Sequence, residues 1–269
     1  MSTQKPSKPF VVTRNQGLVI ITINRPPWNM MGTDFMDQLE QLLPELKSDN
    51  SIRSVLFTAE GEDNFSAGMD LKQLVDKVGS KMALEALFDQ RLRVLSAIEN
   101  LGKPVIATMF GYCLGGGLEL PMACHFRLAA KDGCRIGLPE MDLGTVPAWG
   151  GSARLTRLVG RMHALDMILR AKKIDGPEAW RIGLVNEVVD NSKLKARAIE
   201  LGLQLATDIP PLAMSEIIPV IIRGADLSQE ESLRMERQAV LNTMGSEENQ
   251  EGMMAFLEKR KPAFKDRQS

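Results

Sequence analysis

The chain has 269 residues, 44% apolar and 25% charged, with a formal net charge of −1. Those values fit one large soluble domain, or one domain with an appendage, around a sizeable core, and the near-zero charge provides no field toward nucleic acid or a membrane surface. Three cysteines without a Cys-x-x-Cys pair, and only two histidines, leave disulfide and zinc chemistry poorly supplied.

Cys113, Cys124 and Cys134 are therefore expected as reduced, buried thiols. No apolar run is long enough to span a bilayer. The N-terminal Met-Ser-Thr-Gln-Lys-Pro-Ser-Lys-Pro has no signal core, and the C-terminal residues are not a peroxisomal address. A cytoplasmic protein is expected.

In chain order, Phe10–Arg14 and Leu18–Asn24 read as strands of a hairpin around Asn15-Gln16-Gly17. Pro26-Pro27 stops the second strand. Asp34 to Leu46 has helical spacing, and Pro44 is expected to end or bend that helix. Ser54–Thr58 is a short apolar strand before a polar turn at Ala59–Asn64. Phe65–Leu71 turns into a helix start, and the stripe Leu84, Leu87, Phe88, Leu92, Leu95, Ile98 predicts a helix closed by Gly102.

Pro104–Phe110 reads as a buried strand, Leu118–Ala123 as a helix, and Phe126–Ala130 and Cys134–Gly137 as strands. Beyond Gly150 the pattern is mostly helical, with one strand near Val185–Val189. Helices are expected at Asp190–Leu205, Leu212–Ile222, Ser228–Asn242 and Ser246–Lys261. Alternating strands and helices followed by helices alone imply an α/β core, residues 1–205, with a helical C-terminal region, residues 206–269.

The chemistry concentrates at Gly111–Glu119 and Gly137–Glu140. A glycine run that leaves an apolar strand and opens a helix exposes backbone N–H groups. Glu119, three residues past Gly116, lies on the same helix face. A second carboxylate, Glu140, makes a pair able to handle both protons of a water addition. Taken singly, Glu140 also fits a turn-capping carboxylate and the glycines tight helix–strand packing. No Walker or dinucleotide fingerprint is present.

Four segments in this order resemble the crotonase superfamily (enoyl-CoA hydratase/isomerase): Phe65–Leu71, Gly111–Glu119, Gly137–Glu140 with Gly144-Thr145-Val146-Pro147, and Gly150-Gly151 leading to Arg154-Leu155. The segment from Glu251 to Pro262 is similar to the family's closing helix. The resemblance covers about Phe10 to Arg267. It implies a crotonase-like spiral of ββα repeats with a helical C-terminal extension used in trimerisation, as a homotrimer or a dimer of trimers.

The resemblance also implies site residues. The N–H groups of Met69 and Gly116 would stabilise a thioester enolate. Glu119 and Glu140 would add water across the 2,3-double bond of a trans-2-enoyl-CoA, although two interacting carboxylates titrate as a unit. Ala67, Gly68, Met69, Asp70, Leu71 and Lys72, with Gly115 and Gly116, would hold the CoA ester, and Lys259 would reach its phosphates. No metal and no cofactor is implied, coenzyme A being part of the substrate.

Several residues depart from the family pattern. The first turn, Arg25 to Met31, is shortened and carries Trp28. Asp63 stands where a basic residue is frequent, and His125 where an acid is usual. Trp149 stands where small residues are frequent and could narrow the acyl pocket or simply pack. An enoyl-CoA hydratase is the first reading. The alternatives are another activity on a CoA thioester (aromatic or short-chain hydratase-lyase, isomerase or hydrolase) and an RNA-binding or scaffold protein. Near-neutral charge and the lack of an aromatic–basic platform argue against the last.

Overall fold

The computed structural model describes residues 8–77 and 79–264, so the terminal residues behind the targeting expectation lie outside the described residues. Strands β1 (Phe10–Asn15) and β2 (Leu18–Ile23) form the expected antiparallel hairpin. Gln16 and Gly17 take φ of 46° and 82°, the paired left-handed conformation of a two-residue I′ turn.

β3 (Ser54–Ala59) and β4 (Val105–Met109) are buried at every position, as befits central strands covered on both faces. With β6 (Phe126–Ala130) and β8 (Glu187–Val189) they build a six-stranded mixed sheet in the order β1-β2-β3-β4-β6-β8. Only the β1–β2 pair is antiparallel. Helix α7 (Leu194–Thr207) packs across β2, β3, β4 and β6.

Helix α1 (Thr33–Ser48) contains Pro44, so of the two outcomes expected there, an end or a bend, the end does not occur. The ring removes one intrahelical hydrogen bond. Burial of Phe35, Met36, Leu39, Leu43 and Leu46 on one stripe holds both halves to the core.

A second, smaller layer sets up the site. β5 (Tyr112–Leu114) pairs in parallel with β7 (Arg135–Gly137). Isolated bridges extend this layer, Ser66 with Cys113 and Met31 with Met69. Gly111 makes the turn from β4 into β5 possible. Its φ is +51°, and a Cβ there would fall 1.6 Å from the Asp63 carbonyl oxygen.

The remaining helices of the core are α2 (Leu71–Lys77), α3 (Lys81–Glu99), α4 (Gly116–Met122), α5 (Gly151–Leu169) and α6 (Gly176–Arg181). After α7 come α8 (Pro211–Gly224), α9 (Gln229–Thr243) and α10 (Glu247–Glu258), of which α8 packs on α9. The Ser228/Glu231 capping box starts α9. Among the described residues, no single helix is long and apolar enough to cross a membrane. Cys113, Cys124 and Cys134 are all buried and free.

Candidate active site

The two glycine turns meet. Gly68 has φ of +101°, and a Cβ built on it would lie 2.6 Å from the Leu114 carbonyl oxygen and 3.6 Å from the Gly116 nitrogen. The Met31–Met69 bridge uses the Met31 N–H to the Gly68 carbonyl (2.9 Å) and the Asp70 N–H to the Met31 carbonyl (3.2 Å). That pattern leaves the Met69 N–H pointing away from Met31. Gly116 is the first residue of α4, so its N–H has no intrahelical acceptor and carries the positive end of the helix dipole. The sheet layer β5/β7 thus brings Met69 and Gly116 together.

Glu119 enters from the first turn of α4 and is 2% exposed. Its Oε1 accepts from the N–H groups of Trp149 and Gly151, each at 2.8 Å. Gly151 opens α5, so the carboxylate sits at that helix's N-terminus. Burial nevertheless pushes the Glu119 pKa up to about 7, with Glu140 adding to the rise and the two backbone bonds and Arg154 opposing it.

Glu140 comes from a 3-10 turn, Pro139–Leu143, closed by Gly144 in the left-handed conformation. Its Oε1 lies 2.8 Å from where a Cβ on Gly115 would stand. Gly115 has φ 53° and ψ −124°, and its carbonyl accepts from the Glu119 N–H at 2.9 Å. Gly115 thus faces the Glu140 carboxyl directly and holds only the backbone of Glu119, while the charge of Glu140 is felt at the Glu119 carboxyl. Burial raises the Glu140 pKa, and its Oε2 is buried with no hydrogen-bond partner among the described residues.

Trp149 is 2% exposed, and one edge of its ring packs against the glycine turn. A Cβ at Gly116 would come within 2.4 Å of Cζ3. Arg154 fixes the segment behind it, donating to the Trp149 carbonyl at 3.0 Å and pairing with Glu99 at 2.9 Å. The two readings of Trp149, pocket wall and packing residue, thus converge on one buried position beside Gly116. Trp28 sits elsewhere: 48% exposed, it stacks on Tyr112 with ring centres 5.7 Å apart.

The other sequence-predicted residues divide. Ala67 donates to the Trp28 carbonyl at 2.8 Å and is half-buried beside Gly68. Asp70 caps α2, accepting from the N–H groups of Lys72 (3.1 Å) and Gln73 (3.3 Å). Leu71 and Lys72 are exposed on the first turn of that helix. Lys259 lies at the exposed C-terminal cap of α10, in the left-handed conformation, with no hydrogen bond or ion pair to the glycine turns. His125 is structural: its Nδ1 accepts from the Val105 N–H at 2.9 Å and its Nε2 meets the Glu99 carbonyl at 3.1 Å.

Sequence reasoning missed the N–H groups of Trp149 and Gly151 as holders of Glu119. A backbone donor has no side-chain signature, although the Gly150-Gly151 pair marked the place. Arg91 was missed as well, because an arginine among polar helix positions reads as solvent-facing. Among the described residues, no cluster of three or more His, Cys, Asp or Glu could hold a metal ion.

A two-layer α/β spiral in which glycine turns meet beside one buried and one half-buried acid defines a crotonase-fold protein. The enoyl-CoA hydratase/isomerase family model matches residues 13–267. A short-chain-enoyl-CoA hydratase of Clostridium acetobutylicum is 35% identical over 263 residues, which cover 96% of this chain and 98% of that one. The crystal structure of an enoyl-CoA hydratase from Bacillus anthracis aligns with a TM-score of 0.91 at 32% identity, covering 96% of this chain and 100% of that one. One from Geobacillus kaustophilus HTA426 gives 0.92 at 29% identity, with 98% of each chain covered. The chain belongs to the enoyl-CoA hydratase/isomerase family and is an enzyme of the crotonase type.

Proposed function

We propose that this enzyme is an enoyl-CoA hydratase, adding water reversibly and syn across the 2,3-double bond of a trans-2-enoyl-CoA. The observation that carries the reading is the convergence of two acids on the turn that opens α4: the Glu140 carboxyl packs against Gly115, and Glu119, whose carboxyl feels the Glu140 charge, stands on the first turn after the Gly116 N–H. In hydration, Glu119 takes a proton from water as its oxygen bonds to the β-carbon. The π electrons move toward the thioester carbonyl, whose oxygen is held by the Met69 and Gly116 N–H groups. Glu140 then gives its proton to the α-carbon, and the pair resets by exchanging one proton. Each main-chain donor is worth roughly 2.7–4 kcal/mol of barrier lowering.

A Glu119 pKa near 7 suits this role, because a base is most effective when its pKa approaches the working pH. Ala67, Gly68, Leu71 and Lys72 form the mouth through which the CoA portion enters, and Asp70 shapes it by capping α2. Lys259 acts on the CoA phosphates from a neighbouring subunit of a homotrimer or a dimer of trimers. The region from residue 206 supplies subunit contacts. Its support is an apolar groove of about 630 Å³ lined by Met214, Ile217, Ile221, Ala239 and Val240, and exposed Met253, Phe256 and Leu257 on α10. No further cofactor is required by this chemistry, and the site of action is cytoplasmic.

The test is a turnover panel of enoyl-CoAs read by loss of the enoyl absorbance and by free thiol together. Hydration predicts loss of absorbance without thiol. Thiol release would instead assign a hydrolase, and a shifted double bond an isomerase.

A further inference from the structure

Arg91 has no part in the chemistry above, yet it packs over the Trp149 ring beside the glycine turn. It projects from α3, is 2% exposed, and its Cζ stands 6.0 Å over the centre of the Trp149 ring. That ring in turn abuts Gly116. Leu92, the next residue of α3, comes within 3.7 Å of where a Cβ on Gly150 would lie. Helix α3 therefore closes over the Trp149–Gly151 segment that holds Glu119.

The guanidinium lacks an anion. Its Nη1 donates to the Leu87 carbonyl at 3.2 Å and to the Gln90 Oε1 at 2.6 Å, both neutral acceptors. Gln90 relays onward to Asp37 (2.9 Å) and Glu40 (2.8 Å), so the nearest acids stand one side chain away. Among the described residues, the buried Nε of Arg91 has no hydrogen-bond partner. A buried cation without a direct counter-charge, and with an unused donor, is costly unless something completes it. Trp149 covers one face, which offsets only part of that cost. A planar guanidinium edge is also the donor geometry that best matches a carboxylate.

We propose that Arg91 and Trp149 form the far wall of the acyl pocket and select a short 2-enoyl-CoA whose acyl chain ends in a carboxylate. This inference rests on the CoA-thioester reading of the chamber and adds the class of acyl group. A chain leaving Gly116 along the Trp149 ring reaches Arg91, where its terminal carboxylate accepts from Nε–H. Trp149 limits the length, and Arg91 reads the end.

The test compares ligands matched in carbon count. Binding of glutaryl-CoA and valeryl-CoA, both saturated and unable to be hydrated, is measured by calorimetry. Hydration of glutaconyl-CoA and trans-2-pentenoyl-CoA is measured alongside. The wild type is expected to favour the carboxylate member of each pair tenfold or more, in Kd and in kcat/KM. Arg91→Met should erase that preference, and Arg91→Lys, which keeps the charge without Nε–H, should retain only part of it. A wild type that binds valeryl-CoA as well as glutaryl-CoA overturns the proposal, even if the variants fail to fold. So does an Arg91→Met protein that keeps the wild-type preference. Tight, carboxylate-selective binding without turnover of either enoyl ester would uphold the pocket assignment and reject the hydratase reading instead.

Discussion

Replacing Glu119 with glutamine separates the charge of this side chain from its shape. Both backbone bonds to it, from Trp149 and Gly151, fall on Oε1, so the amide oxygen of glutamine can accept them in place. The ionised wild-type group is held at a cost, since its pKa is raised from 4.5 to about 7. At about 1.36 kcal/mol per unit, that amounts to roughly 3 kcal/mol. A carboxyl that binds its proton more tightly folded than unfolded contributes stability at low pH and loses it as pH rises through the folded pKa. Wild-type stability should therefore fall between about pH 4.5 and pH 7 on this account, then level off, while Glu119→Gln lacks that decline.

Urea denaturation of both proteins at about pH 5 and about pH 8 reads the difference. The variant should be the more stable at the higher pH, by up to about 3 kcal/mol, and nearly equal at the lower. Its turnover of crotonyl-CoA should drop by roughly 10²–10⁴. A variant less stable than wild type at the higher pH, or one that retains turnover, refutes the reasoning.

Three further outcomes follow from the same geometry. Glu140→Gln should also lose roughly 10²–10⁴ in turnover while binding a CoA ester within about tenfold of wild type, as measured by calorimetry with an unreactive ester. Gly151→Ala places a Cβ within 2.7 Å of the Glu119 Oε1. The displaced carboxylate should cost roughly a hundredfold in kcat, with the melting temperature as control because Gly151 keeps ordinary helical geometry at the start of α5. The pH profile of kcat/KM for hydration should lose activity as pH falls through about 7, because Glu119 must be ionised. Burial raises the pKa of the Glu140 carboxyl as well, so that acid limb should report the two carboxyls titrating as a coupled pair.

Much of the core was legible because its signals are local. The Asn15-Gln16-Gly17 turn fixed the hairpin, and the short, mostly apolar runs at Ser54–Ala59 and Val105–Met109 marked central strands. Pro44 does not end its helix, since one lost hydrogen bond is outweighed by a long buried stripe that no local rule weighs. The three-residue strand Tyr112–Leu114 was hidden in a glycine-rich stretch too short to show alternation. The acids themselves could be named from their motifs. What positions them could not: the Trp149 and Gly151 N–H groups are main-chain atoms, and the stacking of Arg91 on Trp149 joins residues far apart in sequence.

The central claim is that one turn, Gly115-Gly116, serves both acids and the carbonyl oxygen. A crystal structure with acetoacetyl-CoA bound tests it most directly. The thioester oxygen should lie within about 3 Å of the Met69 and Gly116 nitrogens, with Glu119 and Glu140 on one face of the acyl C2–C3 bond. A thioester oxygen bound away from those nitrogens, or acids on opposite faces of that bond, would contradict it.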